Sequence, residues 1–196
     1  MKRMTRSHYF IAIPIPSNLQ SLFSTWQKQL KEDVSYKQWP HKEDLHITLK
    51  FLGPVADTKI QSAIDVLRQI EQINAFSVEV GNLGRFGNQT KPRVLWAGVE
   101  VNERLLELHN TVEEALSHVG FYKENRAYRP HITLAKKWSE DTSKISIGEL
   151  AEKYNEKHVF NVDQVVIYKI HPEKSPKYEE IAKYKLKRGD LAGSIN

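Results

Sequence analysis

Apolar positions along the chain fall into short runs separated by helically spaced stripes. Tyr9 to Ile15 is a compact apolar run bounded by Pro14, Pro16 and Ser17, as a buried strand would be. Leu19, Leu22, Phe23, Trp26 and Leu30 then recur at helical spacing. A polar linker with Trp39 and Pro40 leads to Leu45 to Leu52, a strand closed by Gly53-Pro54. Ile60, Ile64, Leu67 and Ile70 mark a second helix, Phe76 to Val80 alternates as a strand, and the Gly-containing stretch Asn82 to Pro92 reads as a loop. Val94 to Val101 predicts a strand, Leu105, Leu108, Val112, Ala115, Leu116 and Val119 a helix, and Tyr128 to Leu134 another strand. Beyond it come a strand through Val165 to Ile167, a Pro-bounded loop at His171 to Pro176 and a closing strand near Ile181 to Leu186. Residues from about 188 to 196 read as a loose tail.

The order is written twice. His46-Ile47-Thr48-Leu49 returns as His131-Ile132-Thr133-Leu134, an offset of 85 residues, and the same offset carries Phe10 to Leu95, Ala12 to Ala97 and Tyr36 to Phe121. Phe76-Ser77-Val78 has a counterpart in Phe160-Asn161-Val162, one residue out of that register. Agreement between the repeated tetrapeptide and the order of elements around it indicates an internal duplication. Two copies, each too small to bury a good core alone, should pack together. The expected fold is α+β: two pseudo-symmetric lobes, each a mainly antiparallel sheet with flanking helices, around a central cleft faced by both tetrapeptides. The whole chain, 1–196, is expected to form one bilobal domain.

Composition narrows the function. Hydrophobic residues make up 40% of 196 residues, which is enough for a core and excludes a disordered or collagen-like chain. Lys and Arg number 29 against 24 Asp and Glu, a formal charge of +5 that favours a phosphate-bearing partner. With no Cys there is neither a disulfide nor a thiolate nucleophile, and a sulfur-ligated zinc is excluded; a reducing, cytoplasmic setting fits. No signal peptide and no membrane-length apolar run is read, so the expectation is a soluble chain without a membrane partner; separately, a monomer is expected.

Alternate residues of a strand share a face, so His46 and Thr48 project together, as do His131 and Thr133. Either motif alone is more simply a surface or hydrogen-bonded His beside a good strand-forming Thr. The pair in matching places is harder to explain by packing. Two imidazoles and two hydroxyls in one cleft make a cradle for a tetrahedral anion, with a proton donor and a proton acceptor. A metal site would need further ligands, and neither a His-x-x-x-His spacing nor a carboxylate cluster accompanies either motif. Phe51, Phe86, Trp96 and Tyr128 are candidates to stack a base, although Phe51 and Trp96 sit in apolar strands and fit a core better. Arg85, Lys91, Arg93, Arg126 and Arg129 lie near the motifs in sequence and could track a polyanionic backbone. His8, His41, His109, His118, His158 and His171 have no partnered motif.

These residues resemble the 2H phosphoesterase superfamily, and most closely the RNA 2′,3′-cyclic phosphodiesterases first described as 2′-5′ RNA ligases. The resemblance covers nearly the whole chain: Tyr9-Phe10-Ile11-Ala12-Ile13-Pro14, His46 to Gly53, Arg93-Val94-Leu95-Trp96 and Arg129-Pro130-His131-Ile132-Thr133-Leu134-Ala135. It implies hydrolysis of an RNA 2′,3′-cyclic phosphate to a 2′-phosphate without cofactor or metal. His46 would be the acid on O3′ and His131 the base on water, while Thr48, Thr133 and Lys136 would hold the phosphate. Phe51, Tyr128 and Arg129 are the candidate base or RNA contacts. Reversal would give 2′-5′ ligation. Lys136 stands where the family commonly has Arg, and its point charge lacks the planar fork of a guanidinium. Two alternatives keep the cleft: a cyclic phosphodiesterase for a small nucleotide or ADP-ribose derivative, and a non-catalytic binder of RNA ends.

Overall fold

A computed structural model of the chain describes residues 6–139 and 145–189. The first half runs β1 (His8–Pro14), α1 (Ser17–Asp33), β2 (Tyr36–Gln38), β3 (His46–Pro54), α2 (Asp57–Val66) and β4 (Phe76–Gly87). The second runs β5 (Pro92–Val99), α3 (Glu103–Ser117), β6 (His131–Trp138), α4 (Ile147–Lys153), β7 (Lys157–Val162), β8 (Gln164–Ile170) and β9 (Tyr178–Lys185). The helical stripes are the buried ones. Leu19, Phe23, Trp26 and Leu30 of α1 face the core, as do Leu105, Leu108, Val112 and Leu116 of α3. Asn102 caps α3, its side-chain oxygen accepting the Leu105 N–H at 2.9 Å.

The fold is α+β, and its strands join in one antiparallel sheet ordered β7-β4-β5-β6-β3-β1-β8-β9, with β2 also paired to β6. The middle joint is short. β3 and β6 meet at one pairing, Ile47 opposite Ile132, and both side chains are fully buried. An antiparallel register centred there sets His46 level with Thr133 and Thr48 level with His131. The two motifs therefore lie side by side on one face, related by a local two-fold between the isoleucines.

Both strands bulge just after their motif. Along β1, Ala12 pairs with Thr48 but Ile11 with Lys50, so Leu49 is left out of the ladder. Along β5, Trp96 pairs with Thr133 but Leu95 with Ala135, so Leu134 is left out. An extra residue reverses the alternation beyond it. Leu49 and Lys50 are consecutively buried, as are Leu134 and Ala135, and Phe51 and Lys136 return to the motif face. The carbonyl of the bulged Leu134 is not orphaned: the buried Gln27 amide of α1 donates to it at 3.0 Å.

Strands are exchanged between the chain halves. β4, from the first half, pairs with β5 and β7; β8, from the second, pairs with β1 and β9. Phe76-Ser77-Val78 is thereby not the symmetry mate of Phe160-Asn161-Val162 but its ladder neighbour, Phe76 opposite Val162 and Val78 opposite Phe160. Adjacent strands over one core select the same apolar alternation. Most of the loop read from Asn82 to Pro92 is also strand, with only Asn88–Lys91 as the turn. Gly84 is there for packing, because the Trp96 ring lies where its Cβ would be. Conversely, β6 begins at His131, and Tyr128 to Pro130 stand outside the ladder. The linker before Trp39 contains β2, whose Tyr36 and Gln38 pair with Trp138 and Lys136. Of the tail, 190–196 lie outside the described residues.

Truncating either central isoleucine opens a cavity at the joint. Ile47→Ala and Ile132→Ala are each expected to destabilise the fold by ~2–5 kcal/mol, read as a lowered midpoint in urea unfolding. An effect below ~1 kcal/mol at both positions would show that the joint is not a packing centre.

Candidate active site

Each motif histidine is held in the same way. The carbonyl of Asp44 lies 2.7 Å from His46 Nδ1, and the carbonyl of Arg129 lies 2.8 Å from His131 Nδ1. A carbonyl only accepts, so each Nδ1 carries the proton and each Nε2 is left for chemistry. In His46 that Nε2 receives the Thr48 hydroxyl at 2.9 Å. Asp44 is itself buried, and its carboxylate accepts the backbone N–H groups of Lys177 and Tyr178 at 2.8 and 3.2 Å. One residue thus fixes the His46 tautomer and ties the start of β9 to the site.

Aromatic rings flank both imidazoles, but differently. His46 packs against Phe10 and Tyr178, with ring centroids at 4.7 and 5.4 Å, and Tyr168 lies farther off at 6.5 Å. His131 meets the edge of Phe86 at 4.8 Å, with Trp96 at 6.4 Å and the Arg129 guanidinium over the Phe86 ring. Burial lowers the His46 pKa to about 4, against an opposing pull from the Asp44 carbonyl; Lys136 and His131 lower it further. Burial also lowers His131, as do the Arg129 and Lys136 charges. Lys136 is pushed down by burial and then by Lys177 and Lys137, and burial pushes Tyr168 and Tyr178 up to about 12. Two imidazoles held toward the neutral form, beside crowded cations, are set to receive an anion.

A cavity of about 550 Å³ opens from the motifs and is lined by Thr48, Phe51, Arg126, Tyr128, Arg129 and His131, among others. The three sequence candidates for base or RNA contact all reach it. Phe51 is not core: its side chain is 61% exposed, because the bulge at Leu49 turns it outward. Tyr128 donates its hydroxyl to the Thr48 carbonyl at 2.9 Å and stacks on His109 at 3.9 Å, so it serves as a wall. His109 was unmarked by any motif, yet it is buried against Tyr128 and lines the same cavity. Beside it Lys50 and Glu113 form a buried pair at 2.9 Å, and Lys50 also donates to the Tyr122 carbonyl at 2.8 Å. Arg126 pairs with Glu124, while Arg85, Lys91 and Arg93 are absent from the cavity wall. Trp96 and Phe86 back His131 rather than the cavity. Phe10, Tyr168 and Tyr178 carry no sequence signal linking them to His46, since they stand on other strands.

A family model described as the 2′-5′ RNA ligase superfamily matches residues 15–173. The chain belongs to that superfamily. Similar curated relatives include the RNA 2′,3′-cyclic phosphodiesterase of Bacillus subtilis, 36% identical over 191 residues that cover 92% of this chain and 97% of the relative. That of Geobacillus stearothermophilus is 37% identical over 184 residues, which cover 93% of this chain but 58% of that longer protein. That of Methanocaldococcus jannaschii is 33% identical, covering 82% of this chain and 89% of the relative. Among solved structures, E. coli LigT complexed with 3′-AMP shares the fold, with TM-score 0.75 at 21% identity over 93% of this chain and 99% of that one. No helix among the described residues is long and apolar enough to cross a membrane.

Within the superfamily's fold, this chain's site offers two Nε2 atoms, two Thr hydroxyls and one Lys ammonium on one face. No group of three or more His, Cys, Asp or Glu side chains among the described residues is placed to hold a metal. Such a set can donate and accept protons around a phosphorus centre.

The lowered His46 pKa also sets a stability trend. Unfolded, this imidazole protonates near 6.5; folded, it stays neutral to about 4. Between those values the unfolded chain binds more protons, so the His46 contribution is intact above pH 6.5 and is lost as pH falls toward 4. Urea unfolding from pH 7.5 to 4 should show wild-type stability falling by up to about 3 kcal/mol more than that of His46→Gln. Parallel curves would show that His46 is not held neutral.

Proposed function

We propose that this protein hydrolyses RNA 2′,3′-cyclic phosphate ends to 2′-phosphates by two-histidine acid–base catalysis. The observation that carries the reading is the antiparallel register at Ile47–Ile132, which sets His46 and His131 on one face with each imidazole level with the other motif's threonine. The names of the Bacillus, Geobacillus and Methanocaldococcus relatives support the substrate.

The phosphodiester anion enters between the imidazoles. Its charge favours an imidazolium, so the proton that burial denies His46 in the free protein is taken up on binding. Thr48 releases Nε2 and, with Thr133 and Lys136, donates to the non-bridging oxygens. His131 Nε2 accepts a proton from water as the water oxygen bonds to phosphorus. The bond from phosphorus to O3′ breaks, His46 Nε2–H protonates that oxygen, and the phosphate stays on O2′. A 5′-hydroxyl in place of water would close a 2′-5′ linkage by the same proton transfers. Phe51 and Arg129 line the space for the terminal nucleoside, with Tyr128 as its wall. Lys136 neutralises charge without a bidentate fork, which leaves orientation of the phosphate to the threonines. The reading extends to one bilobal domain working as a monomer.

The test is EDTA-treated protein incubated with a short RNA bearing the cyclic phosphate. Conversion to the 2′-phosphate is expected, with His46→Ala and His131→Ala each slower by ~10²–10⁴-fold. A substrate with sulfur at the 3′ bridging position separates the roles, since a thiolate leaves without an acid. It should restore His46→Ala and not His131→Ala; the reverse would exchange the assignments. Failure of the folded wild type to turn over the RNA would refute the hydrolase and favour the binding reading.

The pH profile carries a further sign. kcat/KM reports the free protein, where both histidines titrate below 6.5, so its alkaline decline should already set in below pH 6.5. kcat reports the bound state, where the phosphate supports the imidazolium, and its decline should lie at higher pH. Coincident profiles would show that binding does not shift the pair.

A further inference from the structure

We infer a second nucleotide subsite beyond the active-site cavity, in the groove between Phe51 and Tyr122, which takes the nucleotide on the 5′ side of the terminal one. The inference rests on the cyclic-phosphodiesterase reading for its direction along the RNA. A second cavity, of about 560 Å³, is lined by Arg6, Leu52, Pro54, Lys59, Phe121 and Tyr122, among others. It adjoins the first, because Lys50 and Phe51 line both and the first also holds Thr48 and His131. From Thr48 to Phe51 the bulged strand keeps pace with only two residues of β1, Ala12 to Phe10, and so advances about 7 Å, on the scale of one nucleoside.

Tyr122 is the decisive residue. Its side chain is 95% exposed, yet its backbone is anchored, since the buried Lys50 ammonium, paired with Glu113, donates to its carbonyl at 2.8 Å. A ring held out in water on a fixed backbone offers a stacking platform with little ordering cost. Gly120 and Lys59 fix the same turn, the Lys59 ammonium donating to the Gly120 carbonyl at 2.9 Å and lying over the Phe121 ring at 4.4 Å. Charge agrees with the shape. The charged residues lining this groove are Arg6, Lys50 and Lys59, with no carboxylate among them, whereas the first cavity also contains Glu113 and Glu124. A phosphodiester passing Phe51 would meet Lys59, and the base preceding it would reach Tyr122.

The experiment compares a nucleoside 2′,3′-cyclic phosphate with a dinucleotide ending in the same group. Wild-type kcat/KM should be roughly 5- to 100-fold higher for the dinucleotide, the range that one stacked base gives. Tyr122→Ala should keep mononucleotide turnover and lose this advantage, and Tyr122→Phe should restore it. Lys59→Ala should flatten the salt dependence for the dinucleotide alone. Equal kcat/KM for the two substrates, or an advantage that survives Tyr122→Ala, overturns the subsite. A binding arm keeps this outcome separate from the chemistry: a dinucleotide 2′-phosphate should bind tighter than a nucleoside 2′-phosphate, and Tyr122→Ala should abolish the difference. Tyr122-dependent tightening without turnover of either cyclic substrate would sustain the subsite and refute the hydrolase, whereas no tightening overturns the subsite whatever the turnover.

Discussion

The pairing of Ile47 with Ile132 is the joint on which both the sheet and the site depend. It links the strands on the β3 side of the sheet to those on the β6 side, and its neighbours on each strand are the motif histidine and threonine. In an antiparallel pair, residues flanking a central pair lie level in crossed fashion. A single backbone register thus brings each imidazole beside the other motif's hydroxyl. Because the isoleucines face a packed core and the polar residues face the cleft, a one-residue slip would put His and Thr into the core and isoleucine into the cleft. Burial therefore fixes the register, and the register fixes the geometry of the site.

The frame is symmetric, and its occupants are not. Both histidines point Nδ1–H at the carbonyl two residues earlier, and both strands bulge at the following leucine. Beyond the bulges the equivalent positions carry Phe51 on one strand and Lys136 on the other. A cation on one side and an exposed ring on the other give the cleft a direction, with phosphate drawn to one strand and a nucleoside to the other in the proposed reaction. Desolvation adds to the asymmetry, since His46 lies in the aromatic packing of Phe10, Tyr168 and Tyr178 and titrates at about 4. His131, beside Arg129 and the edge of Phe86, is shifted in the same direction.

The strand exchange explains how so short a joint can hold. β4 crosses to the β5 side and β8 returns to β1, so each set of strands includes chain from both halves. Separating the two halves of the chain would mean pulling β4 from β5 and β7, β8 from β1 and β2 from β6, as well as parting β3 from β6. The exchange also brings Tyr168 and Tyr178 to His46, because β8 and β9 come from the far end of the chain to flank β1. The buried Lys50–Glu113 pair fixes the irregular segment before β6, which carries Tyr122, Tyr128 and the Arg129 carbonyl.

The sequence by itself determined the alternation of strands and helices, the repeated His-x-Thr and the two-fold arrangement that its spacing of 85 residues implies. Those features are local, because a period of two or of 3.6 is written in neighbouring residues. As candidates, His46, Thr48, His131 and Thr133 were legible for that reason, and Lys136 through family resemblance. Only the tertiary structure decided that Phe51 is exposed, that Phe76 to Val78 lies opposite Phe160 to Val162, and that His109, Asp44, Tyr168 and Tyr178 belong around the site. Each of these depends on a bulge or on the pairing of strands far apart in sequence. Such pairings are chosen by the burial and hydrogen bonding of the whole sheet, and no short window of residues records that choice.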